Sequence, residues 1–216
     1  MNRSVTEFYD EQPEAQYERS HGPRFDFLVK DLGLDKITNS RVGDFGCGYG
    51  PIFLRMGFDK GNQYFGWDGA DIVVPEEEFW YYRQDLSASE SDAEELLTKP
   101  LDYAFCFETI EHLTNPYNCL VKIKSLLKLD GILYLSVPHE SITHNTIYPG
   151  LLYPVQNFKE FLGQMAFEIE RHVTHDKAFK QHVFTLKNKD WNHSKMKWFK
   201  GEEKFRNISP QEAVNL

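Results

Sequence analysis

Long apolar runs are missing from this chain. Nowhere do about 18 apolar residues stand in succession, so no helix is expected to span a membrane. Residues 1–10, M-N-R-S-V-T-E-F-Y-D, also lack the apolar centre of a secretion signal, and a cytoplasmic location is the expectation. Cysteine is scarce: Cys47, Cys106 and Cys119 sit in apolar settings without metal-ligand spacing. That speaks against a disulfide frame and for a reducing compartment. Positive charge is in deficit, with 24 Lys and Arg against 33 Asp and Glu. The resulting net charge of −9 argues against nucleic-acid backbone as a general partner. Neither internal repeats nor low-complexity segments occur. What is present is 216 residues, 41% of them hydrophobic, which is enough for one large domain with a buried core.

The most informative stretch is residues 41–52, R-V-G-D-F-G-C-G-Y-G-P-I. A strand-like run ends in Asp44, and Gly46, Gly48 and Gly50 follow at every second position. Glycine permits positive φ and lets a ligand approach where a Cβ would collide. A strand that opens into such a loop and then starts a helix is a common nucleotide cradle. The spacing is G-x-G-x-G and not G-x-G-x-x-G, because Pro51 stands where the dinucleotide fingerprint has its third glycine. Pro51 thus disfavours a nicotinamide dinucleotide. Asp44, just before the first glycine, favours an ammonium and repels a phosphate. A nucleoside carrying a short zwitterionic tail suits this loop.

Further along, the pattern alternates strands and helices. Residues 24–32 have amphipathic helical spacing after an expected break at His21-Gly22-Pro23. Residues 63–68, Q-Y-F-G-W-D, read as a second strand ending in Asp68, about 20 residues past the glycine loop. A carboxylate there can accept both ribose hydroxyls; the alternative is a cap on the next turn. Residues 79–84 read as a third strand, residues 89–98 as a solvated helix, and residues 101–107 as a buried central strand. Glu108, Glu111 and His112 follow that strand directly, where doubly wound folds carry their active sites. Histidine has the unperturbed pKa for proton removal near neutrality. Alternatively, Glu111 and His112 only fix the loop. Residues 118–129 have helical spacing, residues 132–137 form a fifth strand, and residues 138–154 form a long polar-aromatic loop. A helix over 155–165, a strand near 166–170 and a last strand over 181–186 complete the pattern.

The loop resembles motif I of the class I S-adenosylmethionine-dependent methyltransferases, D/E-x-G-x-G-x-G. E-H-L at 111–113 and L-L-K-L-D-G-I-L-Y-L-S-V-P at 126–138 are similar to the small-molecule methyltransferases of the ubiquinone and menaquinone biosynthesis type. The resemblance implies an α/β three-layer Rossmann-like sandwich whose seven-stranded sheet is mostly parallel, with the last strand antiparallel. It implies a helical cap over residues 1–40, in which Tyr9 and Tyr17 could be lid residues. A core over 41–187 would carry an insertion at 138–154 beside the acceptor pocket, and a polar extension would cover 188–216. S-adenosyl-L-methionine is the implied cofactor. Its implied contacts are Asp44, Gly46, Cys47, Gly48, Gly50, Asp68, Phe107 and Glu108, with Asp85 and Leu86 at the adenine. His112 is the implied base with Glu111 orienting it, and His139, His144 and Tyr148 are the implied contacts to a small-molecule acceptor. Relatives with an E-x-x-E-H set hold a divalent metal, so Glu108, Glu111 and His112 offer that alternative. A methyltransferase fold acting only as a binding protein is the third.

Overall fold

The computed structural model describes residues 14–71, 79–89, 99–139, 146–176 and 179–191. Helix α1 (Glu14–Leu32) leads into β1 (Arg41–Phe45), α2 (Pro51–Met56), β2 (Gln63–Asp68) and β3 (Trp80–Arg83). Then come β4 (Leu101–Phe107), α3 (Pro116–Leu126), β5 (Leu127–Pro138), α4 (Pro149–Leu152), α5 (Val155–Gln164), β6 (Phe167–His175) and β7 (Gln181–Asn188). The seven strands form one sheet in the order β3-β2-β1-β4-β5-β7-β6. β7 runs antiparallel to both its neighbours, β5 and β6, and the other neighbouring pairs are parallel. The expected α/β sandwich with its antiparallel last strand is what forms.

Side-chain alternation along the strands divides the core between the two faces. Ala104 and Cys106 of β4 join Phe45, Trp67, Leu133 and Leu135 under α3 and α5, where Leu120, Ile123, Phe158 and Leu162 are buried. Phe105 and Phe107 point the other way, to Phe25, Leu28, Ile52 and Phe53 of α1 and α2. Strands covered on both faces must be apolar throughout, which is why β4 reads as an almost unbroken hydrophobic run.

Three local expectations are corrected. No break occurs at His21-Gly22-Pro23; α1 runs through Pro23. Proline removes one helical hydrogen bond. The burial of Phe25, Leu28 and Val29 and the contact of Arg55 with the Gly22 carbonyl hold the helix together across it. Helix α3 ends at Leu126 and not at residue 129, because Leu127 is already extended and pairs with Leu101. The 138–154 segment is not wholly loop-like, since α4 lies within it. The helix expected over 89–98 lies almost wholly outside the described residues.

Candidate active site

The C-terminal ends of β1, β2, β4 and β5 meet along one edge of the sheet. At the β1 end, Gly46 has φ +85° and Gly50 has φ +72°. A Cβ on Gly46 would stand 2.1 Å from Thr109 Oγ1, and one on Gly50 would stand 2.8 Å from the Phe79 ring. Both positions therefore require glycine for conformation and for space. The Gly46 and Cys47 amides donate to the Trp67 carbonyl at 2.7 and 3.2 Å. Asp68 closes the loop from β2: Oδ2 accepts the Gly48 amide at 2.9 Å and Oδ1 accepts the Ala70 amide at 3.0 Å. The capping role and a ligand role are compatible, because each carboxylate oxygen has a second lone pair.

Charge is concentrated beneath this loop. Asp44 is buried, and its pKa is pushed up to about 7 by burial and by nearby Asp68. A buried carboxyl on the edge of ionisation suits a cationic ligand and resists an anionic one. Burial also pushes the Cys47 thiol up, helped by Asp68 and Asp44, so this cysteine is a packing residue and not a nucleophile. Asp85 follows β3 and accepts the Ser87 amide at 2.7 Å through Oδ1, while its carbonyl accepts Lys122 Nζ at 2.7 Å. Leu86 beside it is buried in the core.

At the β4 end, Glu108 has φ +49°, uncommon for a residue with a side chain and concentrated at functional sites. Arg24 Nη1 of α1 donates to its Oε2 at 2.9 Å, and Ser136 Oγ of β5 donates to its Oε1 at 2.9 Å. Burial raises the Glu108 pKa, with Arg24 and Ser136 opposing. Glu111 is wholly buried, and among the described residues neither of its carboxyl oxygens has a hydrogen-bond partner. Burial, and then the charge of Glu108, raises its pKa well above the carboxylate range. His112 Nε2 lies 3.7 Å from Glu111 Oε1, in reach of an ion pair but beyond a hydrogen bond. Tyr153, from the insertion, donates its hydroxyl to the Pro138 carbonyl. Burial, with Glu111 and Glu108 nearby, pushes that phenol up.

The edge thus gathers Asp44, the glycine loop, Asp68 and the Glu108–His112 turn; Phe107 ends β4 and is buried on the α1 side. His139 at the tip of β5 has a buried Nδ1 with no partner among the described residues, and its ring stands edge-on to His182 at 5.0 Å. Tyr148 lies on the flank and donates to the Thr114 carbonyl at 2.9 Å. His144 and Tyr9 lie outside the described residues. Among the described residues no three His, Cys, Asp or Glu side chains are placed to share a metal ion. The cation against Glu108 is a guanidinium.

Arg24 and Ser136 were not singled out by the sequence. A buried acid after β4 does require a donor, but nothing local shows that α1 supplies it. His172 and His182 were missed too: His182 Nδ1 lies 3.1 Å from His172 Nε2, and burial holds both imidazoles down to about 4.

A family model described as a methyltransferase domain matches residues 16–198. No curated protein matches the chain. Among solved structures, a Haloferax volcanii methyltransferase in complex with the Trm112 methyltransferase activator is 13% identical. Its TM-score is 0.63, over 88% of this chain and 100% of that one. Magnesium protoporphyrin IX methyltransferase from Synechocystis with bound SAH is 18% identical at TM-score 0.54, covering 82% and 88% of the two chains. A 1,6-didemethyltoxoflavin-N1-methyltransferase from Burkholderia thailandensis, with its substrate and S-adenosylhomocysteine bound, is 20% identical at TM-score 0.54, covering 78% and 77%. At these identities the structures speak for the fold, whereas the domain match spans most of the sequence. The chain belongs to the methyltransferase domain family and has the class I, S-adenosylmethionine-dependent fold.

Proposed function

We propose that this protein transfers a methyl group from S-adenosyl-L-methionine to an oxygen or nitrogen nucleophile of a small molecule, by in-line displacement. The observation that carries it is the glycine loop pinned to Asp68 above a buried Asp44 poised at about pKa 7. When bound, the cofactor supplies a methyl already activated by its sulfonium. The chain has to hold, orient and deprotonate, and placement is the larger part of such catalysis. Asp68 takes the ribose hydroxyls on its remaining lone pairs, and Asp85 with the Leu86 amide takes the adenine. Asp44 balances the positive charge of the zwitterionic tail, while the glycines, free of side chains, keep the loop open to close approach.

On the acceptor side, His112 removes the proton from the nucleophile. Glu111, 3.7 Å from its ring, orients the imidazole. Arg24, tied to Glu108, fastens the N-terminal helix over the site. Support for a small-molecule acceptor comes from the insertion against Glu108 and Glu111 and from the small-molecule names of two structural neighbours. Calorimetry of the purified chain with S-adenosylmethionine tests the proposal, followed by transfer of labelled methyl into extracts and mass spectrometry. Binding by the wild type, weakened in Asp68→Ala, is the expected result. An isotherm with no binding to the wild type ends the proposal.

A further inference from the structure

Beside the catalytic turn lies an open groove of about 610 Å³, between the start of α3 and the insertion. Pro116, Tyr117, Ile147, Tyr148, Leu151 and Phe161 form most of its wall. The volume is in the range of small-molecule sites. Ile147 and Tyr148 are 41% and 48% exposed, two of only five large hydrophobic side chains that are exposed among the described residues.

Several polar groups around the groove are already satisfied by the protein. The Thr114 amide donates to Ser87 Oγ at 3.1 Å, and its carbonyl accepts the Tyr148 hydroxyl. Asn115 Oδ1 caps α3 through the Asn118 amide, and the Gly150 carbonyl accepts Asn157 Nδ2. Among the described residues, no carboxylate, ammonium, guanidinium or imidazole lines the wall. In a chain of net charge −9, the described wall offers mainly apolar contact and no charged partner to an ion. The groove is also joined to the candidate chemistry. Thr114 follows His112 by two residues, and the Ile147 amide donates to the Glu111 carbonyl at 2.9 Å.

We infer that this groove holds the uncharged, apolar body of the methyl acceptor while its nucleophile faces His112, an inference that rests on the methyl-transfer function proposed above. The acceptor is then a largely apolar molecule and not a nucleotide, sugar phosphate or charged peptide.

The test titrates the full chain with the neutral fluorophore N-phenyl-1-naphthylamine, in wild type and in Ile147→Lys/Tyr148→Lys. Leu129→Lys, an exposed residue at the other end of β5, is the control. The double variant is expected to weaken the probe about tenfold or more, and the control to leave it unchanged. Calorimetry with S-adenosylmethionine on the same samples is expected to be equal in all three. The inference is overturned if the wild type takes up no probe, if uptake survives the two lysines, or if Leu129→Lys removes it equally. Failure of cofactor binding in the wild type would instead defeat the methyl-transfer function, and the probe titration would still decide what the groove accepts.

Discussion

Around the glycine loop, the polar contacts come from nearby in sequence: Gly48 reaches Asp68 across 20 positions, and the Trp67 carbonyl receives the Gly46 and Cys47 amides. Around Glu108 the partners are remote, with Arg24 84 positions away and Ser136 28 away. The two ends of the active edge also differ in how their acids are treated. Asp68 has both oxygens engaged by backbone amides, while Glu111 is buried without a hydrogen-bond partner among the described residues. The proposed cofactor end is a preformed cradle built from the glycine loop and the tip of β2. The proposed acceptor end is assembled from α1, β4, β5 and the insertion, and it holds Glu108 at positive φ and Glu111 without a hydrogen-bond partner among the described residues.

This contrast predicts different failures at the two ends. The largest effect is expected at His112. His112→Gln should lower kcat by about 10²–10⁴-fold with little change in S-adenosylmethionine affinity, because general-base assistance is worth about that much. Equal losses in affinity and turnover would show that His112 belongs to the cradle. Next comes Asp68→Ala, which removes the loop anchor and the proposed ribose acceptor together. A loss of about 100-fold in cofactor affinity is expected, from two charge-assisted hydrogen bonds at about 1.5–3 kcal/mol each, partly replaced by water. If calorimetry finds less than a few-fold change, the ribose assignment is wrong.

Arg24→Ala is expected to cost about 1–3 kcal/mol of folding stability, since it strands a buried Glu108 carboxyl. Urea titrations should recover much of the loss in Arg24→Ala/Glu108→Gln, where the acid no longer needs a cation. The penalty should also shrink at acidic pH, because a protonated Glu108 has less use for the guanidinium. Without recovery in the double variant, Arg24 would be acting through packing and not through charge.

How much was legible follows the same division. The glycine loop, Asp68 and the strands at 63–68 and 101–107 were legible because spacing, charge and apolar runs are local signals. Pro23 misled because proline's cost to a helix is fixed, while the packing of Phe25, Leu28 and Val29 that outweighs it is tertiary. The end of α3 was misplaced for a related reason: L-K-L-D at 127–130 continues a helical pattern, and the pairing of Leu127 with Leu101 overrides it. Glu108, Glu111 and His112 were visible as residues. Which of them is paired and which is buried without a partner depends on α1 and β5, and no spacing rule reaches those.

The smallest effect, and the one most specific to the cradle, concerns Asp44. Its pKa rises from 3.8 to about 7 on folding, so the folded chain keeps a proton that the unfolded chain has lost. The stability this proton contributes is complete below about pH 4 and is lost as pH climbs through about 7. A cationic ligand reverses the preference, because it favours the ionised carboxylate. Affinity for S-adenosylmethionine should therefore increase by up to about tenfold per pH unit below pH 7 and level off above it. Near pH 6, binding should release close to one proton, readable from calorimetry in two buffers of different ionisation enthalpy. Asp44→Asn should abolish both the slope and the proton release, and the variant without ligand should be more stable than wild type at pH 8. A flat affinity profile from pH 5.5 to 8 in the wild type would mean that the buried acid beneath the glycine loop does not sense the ligand's charge, and the two ends of the edge would no longer differ in the way described.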